Sequence, residues 1–92
     1  MKNKKLHIIR KKLDILDDKF LVLIKKRTNL VDQVLLTKRY KNQIIDKKRI
    51  KKILSNIKKK SQKQKLDKKI TNEIWKAMIR AYIKYEFRNF KK

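Results

Sequence analysis

From Lys4 to Lys41 no residue stops a helix, and apolar side chains recur at helical spacing along the whole stretch. Read in heptads from Leu6, the a lane is Leu6, Leu13, Phe20, Arg27 and Val34, and the d lane is Ile9, Leu16, Leu23, Leu30 and Thr37. The flanking e lane is Arg10, Asp17, Ile24, Val31 and Lys38. This pattern predicts one long helix with an apolar seam that packs on a partner. Three cations, Arg10, Arg27 and Lys38, interrupt that face. A guanidinium in such a seam costs free energy unless an anion meets it. The pattern therefore points to a small anion held inside a helical bundle.

The rest of the chain follows the same rule. With neither Gly nor Pro in 92 residues, the punctuation of hairpins and tight turns is missing, and the fold class is all-α. Asn42 and Gln43 make a short break. A second helix starts at Asp46, a good N-cap, and carries Ile50, Ile53, Leu54 and Ile57 on one stripe. It fades in Lys58 to Lys65, which has no apolar residue and reads as a solvated loop. A third helix starts at Asp67, with Ile70, Ile74, Trp75, Met78, Ile79, Tyr82 and Tyr85 inward and Arg80, Lys84 and Arg88 outward. The result is one small domain, residues 1–92, of three helices, the first about twice as long as the others. A seam of about forty residues needs more cover than about fifty further residues supply, so an obligate oligomer is expected.

A net charge of +23 suggests nucleic acid or an anionic membrane. However, only six of the 31 cations are arginines, and the lysines lie all along the chain instead of on one stripe. Most aromatics fall near the carboxyl end, away from any arginine patch. A solvated lysine surface accounts for this distribution. The absence of Cys excludes disulfides and thiolate chemistry and fits a reducing cytoplasm. No secretory signal pattern and no apolar run of membrane-spanning length is seen. His7 has no companion ligand and reads as a surface residue. Trp75 and Met78 read as core, and Tyr85, Phe87 and Phe90 as dimer or core cover.

Helix geometry then separates the three cations. At a rise of 1.5 Å per residue, Arg10 lies about 25 Å from Arg27 and about 42 Å from Lys38, whereas Arg27 and Lys38 are about 16 Å apart. Two long side chains span the last gap around one small ligand, and Arg10 cannot join them from the same chain. It can do so from a second, antiparallel chain, with the two-fold axis near Leu21. Such a dimer covers the seam and has two identical sites. The competing reading lets the cations snorkel outward at the seam edge; it is stronger for Lys38 than for Arg27, which has apolar neighbours on both sides.

At this point the residues resemble a known family. The run LHIIRKKLDILDDKFLVLIKKRTNLVDQVLLTK, Leu6 to Lys38, is similar to the first helix of the all-helical chorismate mutases. That helix carries an arginine, then I/L-x-x-L-D, a second arginine before a leucine-rich turn, and a lysine. IIDKKR matches the family's D-x-x-R through Asp46 and Arg49, and Ile74 to Ile79 matches its third-helix core. The resemblance implies an intertwined antiparallel homodimer, each active site completed by Arg10 of the partner subunit. It implies rearrangement of chorismate to prephenate, a pericyclic step of a dianion that needs no nucleophile, metal or cofactor. By the same resemblance, Arg10 and Arg27 would clamp the two carboxylates, and Lys38 would donate to the breaking ether oxygen. Asp46 would approach the ring hydroxyl, with Arg49 supporting it.

Three positions depart from the bacterial pattern. Ile50 stands where a glutamate usually meets the substrate hydroxyl, and Tyr82 stands where serine is usual. Glu86 replaces a glutamine that donates to the ether oxygen. An ionised carboxylate cannot donate, so Glu86 must carry its proton, as the fungal branch requires of its glutamate, and activity should fall as pH rises through neutrality. The competing reading makes Glu86 a surface residue paired with a lysine. Ile50 and Tyr82 also resemble the related isochorismate pyruvate lyases, which lack the acidic hydroxyl contact, although Asp46 and Glu86 speak against that branch. The non-enzymatic alternatives are a basic nucleic-acid module and a coiled-coil interaction domain. Neither explains an arginine in the seam.

Overall fold

The computed structural model describes residues 2–91. Among them are three α-helices, α1 (Lys2–Leu36), α2 (Lys47–Lys63) and α3 (Lys68–Asn89), with a short 3-10 turn at Lys41–Gln43. No strand occurs among the described residues. The chain divides into two compact units that meet between Gln33 and Val34.

The first unit is helical throughout its described length. Its seam residues lie open in the single chain: Leu16 is 51%, Phe20 57% and Leu30 60% exposed. Arg27 and Thr28 are half-buried, and the Thr28 hydroxyl donates back to the Ile24 carbonyl at 2.8 Å.

The second unit begins with the last turn of α1, which ends earlier than the expected Lys41. Helical bonding tightens there, with the Thr37 and Lys38 amides donating to Val34 and Leu35 at 3.0 and 3.1 Å. The Thr37 hydroxyl takes the same Val34 carbonyl at 2.6 Å. Beyond them, the Gln43 side-chain carbonyl accepts from the Arg39 and Tyr40 amides at 2.7 and 2.9 Å. A side chain has replaced the helical acceptors, so the helix stops. Lys38 therefore lies past α1, and the spacings of about 16 and about 42 Å drawn from continuous helical rise do not apply to it.

Both later helices have the expected caps. The Asp46 carboxylate accepts from the Arg49 amide at 3.0 Å, and Asp67 from the Lys69 amide at 2.8 Å. The run Lys58 to Lys65 is not a loop, however, because α2 continues to Lys63. The buried stripe is extended by a polar residue, Ser61, only 3% exposed. Its hydroxyl donates to the Ile57 carbonyl at 2.6 Å and shares a 2.7 Å hydrogen bond with the Thr71 hydroxyl. Lysine is a good helix former, and Lys60 and Lys63 in the last turn complement the helix dipole.

The end of α2 is a Schellman motif made without glycine. Leu66 N–H donates to Ser61 O at 2.9 Å and Lys65 N–H to Gln62 O at 3.2 Å, with Lys65 at φ 57°. The short link returns α3 antiparallel onto α2. Of the expected inward stripe of α3, Trp75, Met78, Ile79, Tyr82 and Tyr85 are half-buried, but Ile70 and Ile74 are exposed. The core is small: among the described residues Leu35 and Ile44 are the buried apolar ones. No helix among the described residues is long and apolar enough to cross a membrane.

Candidate functional site

The polar centre of the second unit forms where the α1–α2 connection meets the carboxyl end of α3. Stopping α1 at Leu36 leaves Lys38 on a turn, with a long stem that can enter the unit. Its ammonium donates to Glu86 Oε1 at 3.3 Å and to the Ile44 carbonyl at 3.5 Å. The Lys38 side chain is 16% exposed and that of Glu86 9%, so this is a nearly buried ion pair. Lys38 does not snorkel outward. Nor is Glu86 a surface residue, although it does pair with a lysine.

Burial gives this pair chemical meaning. Two ions are withdrawn from water only when each meets a partner, and an incoming anion can replace one of them. Lys38 offers three rotatable donors, and Glu86 accepts when ionised or donates when protonated. Together they can serve an anionic ligand that also presents a neutral or developing oxygen.

The other expected site residues are divided between the two units. Tyr82 lies one turn before Glu86 on α3, half-buried, and meets Tyr85 edge-to-face with ring centroids 6.3 Å apart. Ile50 is half-buried in the first turn of α2. Asp46 and Arg49 are exposed, and the Asp46 carboxylate caps α2 through the Arg49 amide. Asp46 thus has a structural duty that any ligand contact must share. Arg10 and Arg27 belong to the first unit, where Arg10 is exposed and Arg27 half-buried on the same helix. One contributor was not foreseen from sequence: the carbonyl of Ile44, whose residue is 3% exposed. A main-chain oxygen carries no side-chain signal; only the apolar character of Ile44 hints that this turn is drawn inward.

A sequence model of the family described as chorismate mutase type II matches residues 9–87. No curated protein and no solved structure matches the chain.

Proposed function

Because the chain belongs to the chorismate mutase type II family, we propose that it is itself a chorismate mutase, converting chorismate to prephenate in the cytoplasm as an intertwined homodimer. The observation that best supports this reading is the buried Lys38–Glu86 pair. The rearrangement breaks an ether C–O bond and forms a C–C bond within one molecule, with no net gain or loss of protons or electrons. The protein's task is to hold a compact conformer and to stabilise charge on the departing ether oxygen.

In this mechanism Arg27 and Arg10 of the partner subunit grip the two carboxylates through forked donors. Lys38 turns from Glu86 toward the ether oxygen and a carboxylate. Glu86, in its protonated form, donates to the same oxygen. Asp46 meets the ring hydroxyl, and Arg49 supports that contact. Ile50 and Tyr82 border the ring, and the apolar Ile50 loosens the grip on the hydroxyl. The +23 charge draws the dianion inward. The exposed seam of α1 supports the dimer, since Leu16, Phe20 and Leu30 are left to water in the single chain.

The test follows chorismate with product identification at about pH 5 and about pH 8, beside Arg27→Ala. Prephenate should form faster at the lower pH and be lost in the variant. The half-buried Ile50 and Tyr82 favour a second reading, an isochorismate pyruvate lyase of the same fold. Pyruvate and salicylate from isochorismate, with chorismate untouched, would select it. Inertness toward both substrates would overturn the enzymatic reading.

A further inference from the structure

The second unit carries another recess at the opposite end of the α2–α3 pair. A groove of about 510 Å³ opens between the second half of α2 and the first turns of α3. That volume lies within the range typical of small-molecule sites. Leu54 and Ile57 give it an apolar wall from the seam between the helices, and Asn72 adds an amide. Lys58, Lys68 and Lys69 also line it, and no acidic side chain among the described residues does. The adjacent acid in sequence, Asp67, already accepts from the Lys69 amide at 2.8 Å. On α3 the groove lies well away from the Lys38–Glu86 pair, since Asn72 and Glu86 are separated by about 21 Å of helical rise.

We propose that this groove is a second ligand site, and that it takes a compact aromatic carboxylate. Two aliphatic side chains at a helix seam match the face of one ring. Three ammoniums in the absence of a carboxylate match an anionic end that lies near the rim. The cations are lysines, which act as mobile point charges without a planar fork, so the site selects charge more than carboxylate geometry. An extended polyanion is the weaker match, because a phosphate backbone would leave Leu54 and Ile57 unused. The site stands apart from the mutase reading and does not depend on it.

The test uses the full ¹⁵N-labelled chain and three probes: phenylacetate, acetate and 2-phenylethanol. Phenylacetate should shift the amides of residues 54–58 and 68–72 saturably and change the fluorescence of Trp75, the only tryptophan, one turn beyond Thr71. Acetate, lacking the ring, and 2-phenylethanol, lacking the charge, should each bind at least roughly tenfold more weakly. Lys58→Glu with Lys69→Glu should weaken phenylacetate by roughly tenfold or more. Lys58→Gln with Lys69→Gln should show an intermediate loss without reversing charge. Arg27→Ala should leave this binding unchanged, which separates it from the proposed active site. Acetate as tight as phenylacetate would reduce the groove to a charged surface and overturn the site. Equal binding of 2-phenylethanol, or shifts confined to other residues, would overturn it as well.

Discussion

Replacing Lys38 with methionine tests whether the buried ion pair holds the second unit together. In the protein the ammonium stands 3.3 Å from Glu86 Oε1, and the two side chains are 16% and 9% exposed. At that separation and an effective dielectric of about 20, the Coulomb attraction is about 5 kcal/mol. Desolvation of the two ions costs several kcal/mol each, so formation of the pair from water contributes little net stability. Removing one partner is different, because methionine fills the stem but leaves the Glu86 carboxylate buried without its cation. Such losses cost about 3–5 kcal/mol. The Ile44 carbonyl also loses a donor, about 1 kcal/mol. Residual water at the Lys38 head offsets part of this, giving an expected loss of about 3 kcal/mol for Lys38→Met. Adding Glu86→Leu should restore at least about 2 kcal/mol, since two apolar groups leave no buried charge. Urea unfolding followed by Trp75 fluorescence measures both, at one protein concentration because the proposed dimerisation would shift the midpoint. With slopes of about 1–3 kcal/mol per molar urea, the single variant should move the midpoint by about 1–3 M. A change below about 0.5 kcal/mol in Lys38→Met, or a double variant less stable than the single one, would refute the reasoning.

Under the proposed mutase mechanism Glu86→Gln supplies the ether-oxygen donor at every pH, so the variant's activity should not decline toward alkaline pH; a variant that still declines would take Glu86 out of the donor role. Asp46→Ala should cost about 1 kcal/mol of stability through loss of the α2 cap. Asp46→Asn should keep the cap while raising KM through the proposed hydroxyl contact, and an unchanged KM in both variants would remove Asp46 from the proposed site. If the chain dimerises through the α1 seam as proposed, Leu16→Glu should convert a sedimenting dimer to a monomer; a variant with the mass of the parent chain would refute that interface. Lys65→Gly relieves a left-handed residue at φ 57° and should raise stability by about 0.5–1 kcal/mol in the same urea assay.

Much of the helical layout was readable because its causes are local. The Asp46 and Asp67 caps act on amides two or three residues away, and the stripe Ile50, Ile53, Leu54, Ile57 declares one face of α2 by spacing alone. The motif positions Asp46 and Arg49, and the order of Arg10 and Arg27 in α1 with Lys38 just past it, pointed to the family whose model matches residues 9–87. The pattern is silent where a polar residue does the work of an apolar one. Ser61 continues the buried stripe of α2 because Thr71 meets it across the seam, and a lysine-rich run around a serine shows no periodicity. The end of α1 escaped for a related reason: an amide side chain at Gln43 competes with the helix for two backbone donors.

Local spacing and charge thus determined the helix class, the caps, the apolar seam and the candidate cations of this protein. Tertiary structure alone decided that Lys38 turns inward, that its partners are Glu86 and the Ile44 carbonyl, and that both charges are buried. Lys38 and Glu86 are 48 residues apart. No short-range periodicity can register that distance, and whether two ions meet in low dielectric or stay in water depends on how the connection and α3 pack around them.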